Sequence, residues 1–214
     1  PFYKKAIGKN ATAFSVGGTA WYRKHFILGK SSSGKKVYIQ FDGVYMNAEV
    51  WVNGKRVARN PYGYTSFFTD ISKQLVFSKP NVISVKVRNE GENTRYYSGS
   101  GIYRNTWLVT ENDLYVEQWG SNITTPAVND QTASVHIATS IHNSSPINTS
   151  VQVNTTVYDE MLRPVQTLSS TLSFNNSNSM QVAQDFTVPN PRLWSVDHPY
   201  LYKAVTQVLL KGKV

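Results

Sequence analysis

The 214-residue chain contains no cysteine, which excludes a disulfide framework, a thiolate zinc site and a cysteine nucleophile. Histidine is nearly as scarce. His25, His136, His142 and His198 are the whole supply of the usual general base, no two of them stand at helical metal-ligand spacing, and HExxH is missing. There is no GxSxG nucleophile elbow and no P-loop, and no cofactor is expected. No apolar run approaches the ~20 residues of a membrane span, and Pro1 opens no signal peptide. A chain that begins at Pro1 instead of Met reads as processed or trimmed.

Forty per cent hydrophobic residues with only 16% charged describe a globular protein, not a disordered one. The net charge of +9 is unevenly spread. Residues 1–113 hold 17 Lys/Arg against 7 Asp/Glu (+10), whereas 114–214 hold 5 against 6 (−1), which supports two domains of different character. The cations are scattered (Lys4, Lys5, Lys9, Lys35, Lys36, Lys55, Arg56), with no arginine-rich run and no nucleic-acid-binding motif. They read as the basic solvated face of a β domain, so no nucleic-acid partner is expected.

The periodicity is that of strands. In "KKVYIQFDG", Val37, Ile39 and Phe41 alternate with Tyr38, Gln40 and Asp42, and "NVISVKVRN" alternates in the same way. "AEVWVNGKRVARN" reads as a hairpin around Asn53-Gly54, both of whose central residues take positive φ in a type I′ turn. "GIYRNTWLVT" reads as one short strand, and "DISKQLVFSKPN" as a brief helical or turn connection with Asp70 as cap. From "YVEQWGSN" to "LYKAVTQVLLKG" the second half is again short strands between Asn/Ser/Pro clusters, the pattern of an antiparallel sandwich. The chain ends on a strand running into a turn at Lys211-Gly212-Lys213, which reads as an opening hairpin and therefore as a piece of something larger. His136 is placed in a strand and His142 in a turn, both structural. Six N-x-S/T sequons, from Asn10 to Asn175, are what chance gives in so Asn/Ser/Thr-rich a chain.

The stretch "NEGENTRYYSGSGIYRN" carries the chemistry of most interest. Arg95, Tyr96 and Tyr97 precede a glycine-rich turn that lets backbone run close to a neighbour. Adjacent aromatic rings with an arginine can stack on the apolar face of a sugar and bond its hydroxyls. They can equally pack the loop onto an adjoining domain, and both can hold at once.

Several strings together resemble the N-terminal portion of glycoside hydrolase family 2: "GGTAWYRKHF" (17–26), "QFDGVYMNAEVWVNGKRVARNPYGYTSFFTDIS" (40–72), "RYYSGSGIYRNTWL" (95–108) and "PRLWSVDHPYLY" (191–202). The resemblance spans nearly the whole chain and implies an all-β architecture. A jelly-roll (galactose-binding-like) sandwich over 1–113 would be followed by an immunoglobulin-like sandwich over 114–214, with a catalytic barrel beyond. In that family one carboxylic acid of the barrel is acid/base and another is nucleophile. By this resemblance no catalytic residue lies in this chain, and Asn89-Glu90 only mimics the family's Asn-Glu dipeptide. The loop at Arg95, Tyr96, Tyr97 and Ser98 would form the rim of the barrel's sugar pocket. Arg95 stands where the best-known β-galactosidase branch has an acidic residue serving sugar and sodium binding. Trp21, Phe26, Trp51, Phe67 and Trp107 are expected in the jelly-roll core, Trp194 as a plug of the second domain or its interface, and Asp42-Gly43 as turn chemistry. The partners implied are a β-linked galactoside or related oligosaccharide, an intramolecular catalytic barrel, and homo-oligomer contacts. A bacterial parent with a periplasmic or extracellular site is favoured. A stand-alone carbohydrate-binding module and a tandem-sandwich adhesion stalk are the alternatives left open by the residues.

Overall fold

A computed structural model describes residues 4–6, 9–12, 17–90, 99–145, 148–175 and 177–214. The chain divides into two compact units, Pro1–Asn112 and Asp113–Val214. The strands of the first are β1 (Gly18–Ile27), β2 (Lys36–Phe41), β3 (Val44–Tyr45), β4 (Ala48–Val52), β5 (Lys55–Asn60), β6 (Phe67–Asp70), β7 (Pro80–Asn89), β8 (Gly101–Ile102) and β9 (Thr106–Glu111). They form a four-stranded sheet β1-β7-β4-β5, a three-stranded sheet β6-β2-β9 and a short pair β3-β8, with every pairing antiparallel.

Alternation builds the core. Val37, Ile39 and Phe41 of β2 meet Val50 and Val52 of β4 and Ile83, Val85 and Val87 of β7 in one buried cluster, with Phe26 and Phe67 packed against it. Asn53 (φ 48) and Gly54 (φ 82) make the turn expected between β4 and β5. Asp70 accepts from the Ser72 amide at 2.8 Å just ahead of the 3-10 turn Ser72–Gln74, whose N-cap position is taken by Ile71 instead. Burial is the largest single effect on the Asp70 carboxyl and opposes ionisation, but the Ser72 hydroxyl and amide together with Lys36 outweigh it and hold the group below its ordinary pKa.

Three of the five aromatics expected in the core lie elsewhere. Trp51 is half-buried and shares parity with Glu49 on the outer face of β4, on the side away from the buried Val50 and Val52. Trp21 is 58% exposed, because it shares parity with Thr19 and Arg23 on the outer face of β1, opposite Lys86 of β7. Trp107 is 50% exposed on edge strand β9, where its indole N–H donates to Asp42 at 2.7 Å. "GIYRNTWLVT" is not one strand either. The chain leaves β8 at Tyr103, whose ring lies over Gly43 and whose hydroxyl donates to the Gly63 carbonyl at 2.8 Å, and pairing resumes at Thr106.

The second unit holds β10 (Leu114–Val128), β11 (Thr132–Asn143), β12 (Thr149–Tyr158), β13 (Pro164–Phe174), β14 (Ser179–Pro189) and β15 (Lys203–Leu209), in sheets β10-β11-β14 and β13-β12-β15. Ile141, Val151, Val153, Leu172, Phe174 and Val182 form the core between them. Asn129 closes the β10–β11 turn by accepting from the Gln131 and Thr132 amides, and Asp159 closes the β12–β13 turn through the amides of Met161 and Arg163. The Asp159 carboxyl is held below its usual range, first by the Arg163 backbone N–H. His142 lies in β11, not in a turn, and its ring is 5.2 Å from that of Tyr115. Trp194 is 59% exposed and lines an apolar cleft of about 300 Å³ within this unit instead of plugging its core.

Phe174 is 1% exposed at the centre of the second core. Phe174→Ala is expected to destabilise by about 3–5 kcal/mol, measured as a shift in the urea unfolding midpoint at constant slope.

Candidate functional site

The loop singled out by sequence leaves the first unit's central sheet at the end of β7 and returns at β8. Arg95, Tyr96, Tyr97 and Ser98 lie outside the described residues, so the structure shows the anchorage on either side of them. Asn89, the last residue of β7, is only 5% exposed, and its side-chain amide donates to the Ser100 hydroxyl at 2.7 Å. A Cβ placed on Gly17 would lie 2.8 Å from the Asn89 carbonyl oxygen, so this corner is crowded by backbone. At the other end Gly101 takes φ 110, a conformation that side chains resist, and a Cβ there would stand 2.2 Å from the Tyr22 hydroxyl. The glycine-rich turn therefore serves close approach, as the sequence suggests.

Asn89-Glu90 is structural at both positions. Glu90 is exposed and accepts a hydrogen bond from the Thr19 hydroxyl at 2.8 Å, tying the start of the loop to β1.

Beside the returning strand stands a tyrosine cluster that sequence reasoning did not single out. β8 pairs with β3 so that Gly101 faces Tyr45, which is 8% exposed. The Tyr45 ring meets Tyr64 edge-on at 5.2 Å, and Tyr64 meets Tyr62 at 5.7 Å. Gly63 makes this possible, since a Cβ there would fall 2.2 Å from the Tyr45 ring. Tyr62 and Tyr64 remain more than half exposed. Desolvation within the cluster, then the neighbouring Tyr45, raises the Tyr64 phenol above its usual pKa. The signal in the sequence was "NPYGYT", where two tyrosines flank a glycine after a proline.

Asp42 supports the same end of the unit. Its carboxylate accepts from the Trp107 indole (2.7 Å) and the Gln40 amide (2.7 Å), while its backbone N–H donates to Asn105. The Trp107 hydrogen bond, followed by that of Gln40, holds Asp42 below the ordinary carboxylate range. The arrangement offers ring faces, phenol donors and fixed loop ends. Among the described residues no group of three His, Asp or Glu is placed to hold a metal ion.

Two successive antiparallel sandwiches, the first carrying a cluster of tyrosines, define an all-β, two-domain chain. Residues 4–112 match the family domain described as glycosyl hydrolases family 2, sugar binding domain, and residues 115–214 match a second domain described as glycosyl hydrolases family 2. The chain belongs to glycosyl hydrolases family 2. It is 42% identical over 194 residues to beta-galactosidase BoGH2A of Bacteroides ovatus, covering 90% of this chain and 23% of that protein. A beta-glucuronidase of Formosa agariphila is 30% identical over 218 residues, covering 92% of this chain and 22% of its own. Among solved structures, a glycosyl hydrolase family 2 member from Bacteroides cellulosilyticus superposes with a TM-score of 0.95 at 40% identity, over all of this chain and 28% of that one. The chain thus spans between 22% and 28% of the length of these relatives.

Two outcomes are expected at this site. Gly101→Ala should lower stability by about 1–3 kcal/mol, because backbone strain and the clash with Tyr22 act together. Asp42, with a folded-state pKa below its unfolded value of about 3.9, contributes stability that is present above that value and lost as pH falls through the folded one. Asp42→Asn should therefore flatten the acid limb of a stability profile taken by urea midpoints between about pH 5 and about pH 2.

Proposed function

We propose that this chain is the non-catalytic N-terminal part of a longer retaining β-glycosidase, most like a β-galactosidase. Residues 1–113 would be its sugar-binding-type jelly roll and residues 114–214 its immunoglobulin-like sandwich. Together they scaffold a catalytic barrel, with which they make intramolecular contact. Arg95, Tyr96, Tyr97 and Ser98 shape the rim of the barrel's substrate site, where a β-linked galactoside or related oligosaccharide binds.

The observation that carries this reading is the end-to-end match of two consecutive family domains in a chain about a fifth as long as relatives named beta-galactosidase and beta-glucuronidase. The Asn89–Ser100 hydrogen bond, which joins the two ends of the loop, supports this reading. Acid–base work belongs to carboxylates outside these residues. Glu90 is engaged with Thr19, and the tyrosine cluster can position hydroxyls but cannot supply a nucleophilic carboxylate.

The 214-residue chain alone is expected to leave a chromogenic β-galactoside uncleaved above background, and turnover at an ordinary enzyme rate would overturn the proposal. In the longer enzyme, Tyr97→Ala should raise KM by about tenfold with kcat little changed, the pattern of lost uniform binding. An unchanged KM would remove the loop from the substrate rim.

A further inference from the structure

The outer face of the sheet β1-β7-β4-β5 belongs neither to the core nor to the loop just described. Register places its side chains in rows. Trp21 lies opposite Lys86, which lies opposite Glu49 and then Arg59, while Arg23 lies opposite Ser84, which lies opposite Trp51 and then Arg56. One step along, Thr19 lies opposite Arg88. The side chains of Trp21 and Trp51 reach towards each other across β7, and their ring centroids are 5.1 Å apart at 36°, a shallow platform. Trp21 is 58% exposed and Trp51 half-buried.

Such a pair is unexpected on a solvated face. A tryptophan ring left in water forfeits more burial than most side chains, and an exposed pair among charges marks a binding surface. The charges say what kind. Arg23, Arg56, Arg59, Lys86 and Arg88 stand on this face against Glu49, with Glu90 at its rim beside Thr19. Glu49 is shared by Arg56 at 3.1 Å and Lys86 at 3.8 Å. Among the described residues, Arg23, Arg59 and Arg88 have no carboxylate at ion-pair distance, and all three are exposed. The face thus offers an aromatic platform ringed by unneutralised guanidinium groups, which bind carboxylates in bidentate fashion.

We propose that this face is a second saccharide site, separate from the loop rim, and that it takes an acidic oligosaccharide of uronic acid residues. The C–H face of one pyranose stacks on the Trp21–Trp51 platform, its carboxylate pairs with Arg23 or Arg59, and Glu49, held by Arg56 and Lys86, accepts from sugar hydroxyls. The site goes beyond the proposed scaffold role, and it places part of the first unit's positive charge in the service of a ligand. It needs no barrel, so its failure and that of the glycosidase reading are read by different assays.

The test is titration of the 214-residue chain, at moderate salt, with tetragalacturonate, with neutral β-1,4-galactotetraose and with a short single-stranded DNA, followed by tryptophan fluorescence and calorimetry. Tetragalacturonate is expected to bind at least tenfold more tightly than the neutral tetrasaccharide and to quench fluorescence. Trp21→Ala should weaken it at least tenfold with the thermal midpoint nearly unchanged, since that ring is mostly in water. Arg23→Gln with Arg59→Gln should abolish the preference for the acidic sugar while leaving the rings in place. Unaltered uronate binding by Trp21→Ala would overturn the proposal. So would DNA bound as tightly as the uronate with the same dependence on Trp21, or no binding of tetragalacturonate at all.

Discussion

Strand β2 is the element on which the first unit depends. Val37, Ile39 and Phe41, all at most 2% exposed, face inward from one strand and supply the second sheet's share of the core. Strands β6 and β9 are both hydrogen-bonded to β2 and to no other strand of that sheet. Ser72 Oγ accepts from the Val37 amide at 2.8 Å, which fixes the turn after β6 to the same strand. If β2 slipped by one residue, these three side chains would turn to water, and Tyr38 and Gln40 would turn to the core. Asp42, at its end, then could not reach Trp107.

That alternation was legible in the sequence, as were the Asn53-Gly54 turn, the short connection after Asp70 and the all-β character of both halves. What was not legible is what each turn residue does beyond turning. Asn53 bridges three segments. Its amide group donates to the Gln74 carbonyl and to Asn81, and its carbonyl accepts from the Val82 amide. Asn81 is wholly buried, and accepts from the Val76 amide while donating to the Val76 and Lys79 carbonyls. A buried asparagine satisfied on both sides is stabilising and specific, yet in the sequence it is one polar letter beside a proline. Beyond Lys79, two residues away, its partners are 5 and 28 residues away, separations that period and propensity do not register.

The tryptophans illustrate the opposite failure. Large aromatic residues are most often inside, so Trp21, Trp51 and Trp107 were read as core. Parity decides otherwise for Trp21 and Trp51, and the indole N–H, which needs a partner, holds Trp107 at the edge near Asp42. The tyrosine cluster was not legible, because Tyr45, Tyr62, Tyr64 and Tyr103 come from three separate stretches and meet only once β3 pairs with β8.

The pleat of β1, β7 and β4 has an evolutionary corollary. Because successive side chains of a strand point to opposite sides, Trp21, Arg23, Glu49 and Lys86 occupy positions whose exchange leaves Val50, Val85 and Val87 untouched. One sheet therefore carries two texts that can be revised independently, the inner fixed by packing and the outer free to drift among ligands. A lineage could change what this surface recognises in a handful of substitutions, without passing through an unfolded ancestor.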